Sequence, residues 1–495
     1  MEIELKLAID PGDAARLLKD PLLKPATRGA SRQTELANIY FDTPERELQQ
    51  ARIGLRLRRD GEQWLQTIKG GGQVSGGLHA RQELEFAVAG RALEFAALDG
   101  SEWSEILTPE RTARLQPVFS TDFQRTIRLI RPAPGVEIEV AIDRGDISAA
   151  GQNDPICEIE LELKDGPVSA LFDLALQLAE RFELRLENAS KAERGYRLAY
   201  GTAPRVPGKW APPAIAAQTA LPEAVATLAY GLLAHYQDNE KGFLGAAENP
   251  EFLHQMRVAI RRLRVLLGLF AADLPEPDTV TSLRGELRWL GNELGRARDW
   301  DVLLNDTLPT VLKAVGDHPA QARLHARLAA AGFAAQQAAR EAVGSMRYQR
   351  LLLGLGRWCA LLAAADGPAS FGDAAAPLLG KYSRRLGDAL KRADETSAAT
   401  LHRTRILAKK LRYLGEFGAL SYAGKRYQRF NHWLQAVQDG LGRHHDQSVA
   451  DGLLATQSAL VRRPDEAELL GMLRGWLRAQ TVSVAHAELP KPFWK

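Results

Sequence analysis

The sequence contains little cysteine, with only Cys157 and Cys359 among its 495 residues. Two thiols cannot build a disulfide framework or a cysteine-rich metal site, and such a composition is typical of a reducing compartment. The chain also lacks any run of about 18 uncharged apolar residues, so no membrane-spanning helix is expected. Its first residues alternate charged and apolar side chains and do not form a basic, then apolar leader, so no secretory signal is predicted. We therefore expect a cytoplasmic protein with no membrane partner.

Charge is divided unevenly along the chain. Residues 1–200 carry 33 acidic and 26 basic side chains, whereas residues 201–495 carry 28 acidic and 38 basic ones. The proline-rich stretch TAPRVPGKWAPPA (202–214) separates the two parts. We predict one domain over 1–201, a linker over 202–216 and a second domain over 217–495. The positive charge of the second domain suits a polyanionic partner.

Alternation at a period of two predicts eight strands in the first part. In the opening MEIELKL, Glu2, Glu4 and Lys6 share one face of a strand, and apolar side chains share the other. Seven more segments alternate in the same way: 36–43, 53–59, 63–70, 78–86, 121–130, 135–143 and 155–164. Helical patterns occupy 11–19, 91–107 and 167–182. The predicted fold class is α+β, with antiparallel strands that close into a barrel.

The charged faces of these strands suggest a cavity. Glu158, Glu160 and Glu162 share one face of the last predicted strand, and other strands repeat the pattern with bases. Any single strand could simply present a solvated face, and that alternative stays open. Stacked carboxylates repel one another, however, so many such strands together favour a site with something positive between them. Acids that hold hard cations and bases that hold phosphate oxygens occur together at metal–polyphosphate sites.

Six segments, in order, resemble the motifs of the CYTH, or triphosphate tunnel metalloenzyme, superfamily. They are Glu2-x-Glu4-x-Lys6, LRLRRDGEQWLQTIKG (55–70), LHARQELEF (78–86), VAIDRGDI (140–147), EIELELK (158–164) and SKAERGY (190–196). The resemblance implies an eight-stranded antiparallel tunnel that admits a triphosphate and divalent metal ions. It also implies a metal-dependent inorganic triphosphatase, which hydrolyses tripolyphosphate to pyrophosphate and phosphate.

The resemblance assigns roles residue by residue. The implied ligands of Mg²⁺ or Mn²⁺ are Glu2, Glu4, Asp143, Glu160 and Glu162. The implied phosphate contacts, which complete the catalytic set with Glu2 and Glu4, are Lys6, Arg56, Arg58, Lys69, Arg81, Arg125 and Lys191. A tunnel role and a structural role stay open for Glu83, Glu85, Glu137, Glu139 and Glu158.

The second part has a helical period and an internal repeat. The segments HQMRVAIRRLRVLLGLF (254–270) and HRTRILAKKLRYLGEFG (402–418) fit one pattern, H-x-x-R-x-x-x-[RK]-[RK]-L-R, at an offset of 148. The segments LGRARDWD (294–301) and LGRHHDQS (441–448) repeat at an offset of 147. About ten helices and a duplicated bundle are predicted.

Each copy of the repeat places one histidine and three bases on one arc of a helix. The eight residues are His254, Arg257, Arg261, Arg264, His402, Arg405, Lys409 and Arg412. A solvated face is the ordinary alternative, but bases one turn apart repel each other, so a duplicated stripe favours a polyanion site. Nucleic acid is a rival polyanion that we do not expect, since few aromatic side chains interleave with the bases.

This repeat resembles the CHAD domain. The resemblance implies an all-α domain of two four-helix bundles, with a basic channel for long-chain inorganic polyphosphate. Further contributors are Arg296, Arg298, Lys381, Arg384, Arg385, Arg443 and His444. Three other interpretations stay open: a thiamine triphosphatase, a class IV adenylate cyclase, and a protein that mainly binds polyphosphate and associates with polyphosphate granules.

Overall fold

The computed structural model divides the chain into two compact units. It describes residues 2–26, 31–98, 100–101, 103–201, 205–245, 249–367, 369–392, 397–418, 424–480, 490 and 492–493. The first unit, here called the ring unit, comprises Met1–Val206 together with Gln349–Leu361. The second, here called the helical unit, comprises Pro207–Tyr348 and Leu362–Lys495. The boundaries predicted from composition do not separate the segment Gln349–Leu361 from the second domain.

Eight antiparallel strands form the ring unit. They are β1 (Glu2–Ile9), β2 (Ser31–Asp42), β3 (Gly54–Asp60), β4 (Gln63–Ser75), β5 (Leu78–Val88), β6 (Gln116–Ala133), β7 (Val136–Ala149) and β8 (Gln152–Asp165). Their order is β5-β4-β3-β2-β6-β7-β8-β1, and a further pairing between β1 and β5 closes the sheet into a ring. The predicted α+β class and the eight-stranded antiparallel barrel are confirmed. A short strand, β9 (Leu184–Leu186), adds to β1 outside the ring order.

The outer face of the ring explains the apolar half of the strand alternation. Leu5 and Leu7 of β1 are fully buried, together with apolar residues of β7 and β8. Helix α4 (Ser169–Ala179) covers this face with side chains that include Leu171 and Phe172. Burying each large apolar side chain contributes roughly 1.5–3 kcal/mol, so this packing fixes which face of β1 points outward. The charged face is thereby directed into the ring.

The other described helices before residue 201 are short. They are α1 (Pro11–Leu17), α2 (Glu47–Gln50), α3 (Pro109–Thr112) and α5 (Lys191–Tyr200). The helical patterns at 11–19 and 167–182 are confirmed, but the helix predicted over 91–107 is wrong. Among the described residues of this stretch only a 3₁₀ turn at Ala96–Leu98 forms, and Gly100 follows with a φ of +77° that no helix can continue through. Apolar residues of this stretch, such as Trp103, instead pack as a loop against Ile53 and Ile68.

Ten further helices follow residue 220 in the described part of the chain. They are α6 (Leu221–Leu244), α7 (Pro250–Phe270), α8 (Pro277–Val302), α9 (Leu308–Val315), α10 (Gln321–Gly344), α11 (Met346–Ala363), α12 (Phe371–Lys391), α13 (Ala398–Phe417), α14 (Lys425–Ser458) and α15 (Pro464–Ala479). The repeated segments fall on equivalent helices, α7 and α13 for the first motif and α8 and α14 for the second. The predicted all-α duplicated domain is confirmed. Within the described residues, none of these helices has both the length and the apolar character that a membrane span requires.

Candidate functional site

The charged face of β1 lies inside the closed ring. Glu4 and Lys6 are only 7% and 5% exposed, as buried as many core residues. Across the β1–β8 ladder, Lys6 lies opposite Glu160 and Glu4 lies opposite Glu162. Buried charges are stable only when they are paired, so the interior must bring acids and bases into contact.

Three carboxylates meet at one place in this interior. Asp143 of β7 lies opposite Glu158 of β8 in the ladder, and Glu160 follows two residues later on the same face. One oxygen from each of the three lies within 4.8 Å of the other two, and all three side chains are buried. We call this group the acid cluster. Hard carboxylate oxygens at this separation suit a divalent cation such as Mg²⁺ or Mn²⁺.

Lys6, Arg125 and Lys191 form short ion pairs with the acid cluster. Arg125 chelates Asp143 through Nε and Nη2, at 2.7 and 2.6 Å, and also pairs with Glu160. Lys6 pairs with Glu160, and its Nζ lies 3.1 Å from Glu4. The third cation is Lys191, whose Nζ lies 2.6 Å from Asp143 and 3.0 Å from Glu160 and also contacts Glu158.

Burial and ion pairing act in opposite directions on the pKa values of the acid cluster. Burial alone would raise the pKa of Glu160, but Lys191, Lys6 and Arg125 hold it well below its usual range. The pKa of Asp143 is likewise lowered against the effect of burial. The pKa of Glu158 is raised, because its burial outweighs the attraction of Lys191. Its Oε2 atom is buried and forms no hydrogen bond with any described residue.

Helix α5 holds Lys191 over the acid cluster. Ser190 caps the helix by accepting a hydrogen bond from the Glu193 backbone N–H, which makes Lys191 the first helical residue. One turn later, Gly195 lies so close to Phe119 of β6 that a Cβ added there would be 2.1 Å from the ring. Glycine at this position therefore lets α5 approach the closed ring of strands closely enough for Lys191 to reach the interior of the ring unit.

A second group of interior side chains contains two arginines, Arg56 and Arg58. Arg56 donates to the Tyr40 hydroxyl at 3.3 Å, while Glu83 and Glu85 lie 3.9 Å from its Nη2. Its Nε is buried and donates to no described residue. Beside it, Arg58 donates to Asn38 at 3.0 Å. Burial, together with Arg56 and Arg125, lowers the pKa of Arg58 to about 10. Guanidinium groups that are close together and incompletely paired suit the oxygens of a phosphate chain.

The other predicted metal ligands lie outside the acid cluster. Glu4 contacts the cluster only through Lys6. The side chain of Glu2 pairs instead with Lys69 at 2.7 Å. That of Glu162 pairs with Lys164 at 2.6 Å. Burial raises the pKa of Glu162, and the nearby carboxylates of Glu2 and Glu139 raise it further.

The structure thus separates the predicted phosphate contacts into three places. Lys6, Arg125 and Lys191 touch the acid cluster, Arg56 and Arg58 form the second group, and Lys69 bridges Glu2 and Glu83. The backbone of Arg81 lies opposite Glu2 in the β1–β5 ladder, but its side chain is outside the described residues.

The sequence reasoning missed three residues of this interior. Asn38 and Tyr40 face the interior from β2, opposite Arg58 and Arg56 in the ladder, and the parity of NIYFDT could have identified them. Arg194 donates to Asp154 at 2.9 Å, and its Nη1 lies 3.6 Å from Glu158 Oε2. Its position one helical turn after Lys191 was the available indication. Glu158, left open by the sequence, is a full member of the acid cluster.

In the helical unit, both copies of the repeat contribute to one group of bases, here called the basic cluster. Arg257 and Arg261 of α7 lie near Arg405 and Lys409 of α13, and burial together with repulsion between these bases lowers the pKa values of Arg257, Arg405 and Lys409. The basic cluster also includes His254, Arg298, His402 and His445, with the rings of the last two 5.8 Å apart. Gly295 of α8 makes room for Arg257, since a Cβ there would lie 2.5 Å from its Nη1.

Burial and mutual repulsion disfavour the charged form of several members of this cluster. They lower the pKa of Lys409 to about 6 and that of Arg257 to about 10. They also lower the pKa of His254 to about 4 and that of His445 to about 3. Protonating such bases next to one another costs free energy because their positive charges repel. An anion that binds between them offsets this repulsion and stabilises their charged forms.

Two acids lie among these bases at equivalent positions of the repeat, Asp299 and Asp446. Burial raises the pKa of both, against the lowering effect of neighbouring arginines. Asp299 lies 3.9 Å from Arg257. Sequence reasoning missed both acids and chose His444 over His445, although the two LGR segments align Asp299 with Asp446 and Arg298 with His445.

The fourth residue of each predicted stripe lies elsewhere. Arg264 lies near Arg284 and Arg288, and Arg412 donates to Glu416 and to two glutamines of α14. A helical wheel shows the angle of each side chain but not its position along the helix axis. Arg264 is ten residues beyond His254, which is about 15 Å along α7. The three stripe residues nearest the start of each motif therefore form the cluster.

The first unit is thus a closed antiparallel ring with a charged interior, and the second is a duplicated helical unit with a basic cluster. Residues 1–196 match the family model of the CYTH domain, and residues 227–455 match that of the CHAD domain. The chain therefore carries a CYTH domain followed by a CHAD domain.

Individual relatives cover different parts of the chain. The inorganic triphosphatase of Haemophilus influenzae is 40% identical over 198 residues, which are 40% of this chain and 54% of that protein. The chain therefore spans about half the length of this relative. An uncharacterized protein of Mycobacterium tuberculosis is 28% identical over 462 residues, 86% of this chain and 82% of that one. The crystal structure of the CHAD domain from the plant Ricinus communis has 38% identity and a TM-score of 0.50, covering 56% of this chain and 91% of the other.

Proposed function

We propose that the ring unit is a divalent-metal-dependent inorganic triphosphatase that hydrolyses tripolyphosphate to pyrophosphate and phosphate. The observation that carries this proposal is the presence, inside one closed ring, of three buried carboxylates within 4.8 Å of one another and of Arg56, whose buried Nε donates to no described residue. The likeness of the first 200 residues to the Haemophilus influenzae inorganic triphosphatase supports the choice of reaction.

The acid cluster fits a hard divalent cation. Its donors are all carboxylate oxygens, and the buried Oε2 of Glu158 lacks a hydrogen-bond partner among the described residues. Asp143, Glu158 and Glu160 would hold Mg²⁺ or Mn²⁺, with Glu2, Glu4 and Glu162 as proposed further ligands towards the rim. A bound ion of this kind neutralises charge on a phosphoryl group and acidifies a water molecule.

The bases would hold the triphosphate. Arg56 and Arg58 have donors directed into the interior, and arginine binds phosphate oxygens in a bidentate manner. Lys6, Arg125 and Lys191 would approach from the side of the acid cluster and Lys69 from β4, and Arg81 of β5 is a further proposed contact. Fixed cations of this kind stabilise the charge that develops on the transferring group.

The test is steady-state release of phosphate by the full chain, with Mg²⁺ or Mn²⁺, from tripolyphosphate, thiamine triphosphate and ATP. Glu160→Gln should lower kcat by roughly 10²–10³-fold, since it removes a charge at the reacting centre. Glu180→Gln, at an exposed position of the same unit, should match the wild type. No hydrolysis of tripolyphosphate by the wild type would refute the proposal. A preference for thiamine triphosphate, or cyclisation of ATP, would favour the other two activities.

We also propose that the helical unit binds long-chain inorganic polyphosphate at the basic cluster. Support comes from the convergence of bases from both repeats on one place, which an extended polyanion would bridge. The test uses the full chain carrying Glu160→Gln, so that the polymer stays intact. Replacing His254, Arg257 and Arg261 together by alanine should abolish salt-sensitive binding, whereas Arg478→Gln, 63% exposed, should not affect it. Unchanged binding by the triple variant would contradict the proposal.

Two features of the setting belong to the same proposal. Cys157 and Cys359 are free thiols, which fits a cytoplasmic protein. Binding of the polymer through the basic cluster would also bring the enzyme to polyphosphate granules. Fluorescently tagged wild-type and triple-variant chains, followed in cells that accumulate polyphosphate, should differ in granule association.

A further inference from the structure

Lys191 occupies the position of a cation in the acid cluster. Its Nζ lies 2.6 Å from Asp143 and 3.0 Å from Glu160, and it also contacts Glu158. The three carboxylates that suit a divalent ion therefore share one ammonium group. An ammonium in contact with all three ligand groups and a metal ion coordinated by them cannot be in the same place.

The other two cations strengthen this occupation. Arg125 chelates Asp143 and pairs with Glu160, and Lys6 bridges Glu160 and Glu4. Every carboxylate of the cluster thus has at least one protein cation as its counter-ion. A metal ion entering alone would add two positive charges to a group that is already neutralised, and would leave buried cations unpaired.

An anion in the ring would give those cations another partner. Lys191 has a flexible four-carbon stem, and its Nζ lies over the Phe123 ring, 5.0 Å from the centroid. It is near enough to Tyr40, which accepts from Arg56, to affect its ionisation. A triphosphate bound at Arg56 and Arg58 would therefore lie within the region that Lys191 can reach.

We propose that Lys6, Arg125 and Lys191 are exchangeable counter-ions which make metal binding and triphosphate binding depend on each other. The inference rests on the proposed triphosphatase function. The bound triphosphate draws these cations away from the acid cluster. The carboxylates, now without their counter-ions, then accept the metal ion. Because coupling between two sites is reciprocal, each ligand must raise the affinity for the other by the same factor.

The decisive experiment measures binding without turnover in the full-length wild-type chain. Free Mn²⁺ is counted by electron paramagnetic resonance, with and without saturating imido-bridged tripolyphosphate, which is not hydrolysed. We expect the analogue to tighten Mn²⁺ binding at least about tenfold, and Mn²⁺ to tighten analogue binding equally. Equal Mn²⁺ affinity with and without the analogue would overturn the proposal.

The variant Lys191→Met should change the affinities for Mn²⁺ and for the analogue in opposite directions. Lys191→Met removes the ammonium but keeps the length of the stem. It should tighten Mn²⁺ binding in the absence of the analogue about tenfold, weaken analogue binding, and lose most of the coupling. Lys19→Met, at an exposed lysine of the same unit, should behave as the wild type. A folded Lys191→Met chain that binds Mn²⁺ more weakly than the wild type would show that Lys191 supports the metal site, which contradicts the proposal.

The wild-type titrations decide the question even if Lys191→Met does not fold. Lys6→Met, which removes a cation from Glu160 and Glu4, then provides the second variant with the same expected signs. A wild type that hydrolyses tripolyphosphate but binds the two ligands independently would refute only this inference. A wild type that neither hydrolyses tripolyphosphate nor binds its analogue would refute the proposed function as well.

Discussion

Replacing Gly195 by alanine should damage both the stability and the chemistry of the ring unit. Gly195 lies in α5, buried against β6, and an added Cβ would be 2.1 Å from one carbon of Phe119 and 2.2 Å from another. Ordinary contacts of a Cβ begin at about 3.4 Å. Either the phenyl ring or the helix must therefore move by more than about 1 Å.

The aromatic ring is not free to make this movement. Phe119 stacks on Tyr40 with their centroids 4.4 Å apart, and Tyr196 packs edge-on against its other side at 5.1 Å. Overpacking of this kind costs about 1–3 kcal/mol. Alanine in a helix interior recovers up to about 1 kcal/mol relative to glycine. With full recovery, the net loss of unfolding free energy should be about 0–2 kcal/mol.

The functional loss should exceed the loss of stability. Lys191 is four residues before Gly195 on the same helix, so a shift of α5 moves its ammonium away from contacts of 2.6–3.0 Å. A displacement of about 1 Å in a positioned group can cost about 10²-fold in rate. Calorimetric unfolding and kcat/KM for tripolyphosphate, measured on the same preparation, report the two effects.

The matched control is Gly452→Ala in α14. An added Cβ there meets nothing within 4 Å, so only the helix preference changes. This variant should gain up to about 1 kcal/mol and keep full hydrolysis. A Gly195→Ala chain that is as stable and as active as the control would show that the close approach of α5 to Phe119 does not position Lys191.

Three further predictions concern the helical unit. Polyphosphate should bind more tightly as the pH falls from 8 to 5, because the pKa of Lys409, lowered to about 6, leaves its amine largely neutral at pH 7 and the anion favours the protonated form. Calorimetry in buffers of different ionisation enthalpy should detect proton uptake on binding. Proton release on binding would contradict this prediction. Arg257 and Arg405 occupy equivalent positions of the repeat, so Arg257→Gln and Arg405→Gln should each reduce the salt dependence of polyphosphate binding by about one phosphate contact. A loss confined to one of the two variants would argue against a shared site. In the wild type, the buried guanidinium of Arg262 pairs with Glu416 at 2.7 Å. Glu416→Gln removes that carboxylate and should destabilise the unit by about 3–5 kcal/mol in chemical unfolding. An effect near zero would show that the pair is not desolvated.

Local patterns were sufficient to predict the elements but not their long-range pairing. The alternation around Glu4 identifies a strand and its charged face, since side-chain direction is a local property of the backbone. Closure of the ring depends on β1 pairing with β5, whose residues lie about 75 positions away, and no periodicity encodes that contact. The predicted helix at 91–107 failed for a related reason. Its apolar residues are held by tertiary contacts of a loop with Ile53 and Ile68, and Gly100 interrupts the helical path.

Site residues were predictable where a motif fixed the chemistry, and less so where geometry selects among equivalent candidates. Parity places Glu158, Glu160 and Glu162 on one face, but only the register with β7 brings Glu158 next to Asp143 and leaves Glu162 to pair outside the cluster. The helical wheel failed similarly for Arg264, because angle does not specify position along the axis.

The first strand shows that fold and chemistry in the ring unit cannot be separated by deletion. β1 pairs with β5 through residues 2–5 and with β8 through residues 4–8, so it is the strand that closes the ring. The same strand supplies Glu4 and Lys6 to the interior. Removing residues 1–6 would open the ring and expose the backbone edges of both neighbours, so lost hydrolysis would not identify the cause. Glu4→Gln keeps the backbone pairing and removes one charge. A loss of hydrolysis in that variant, with unchanged unfolding, would therefore assign the effect to the carboxylate and not to the strand.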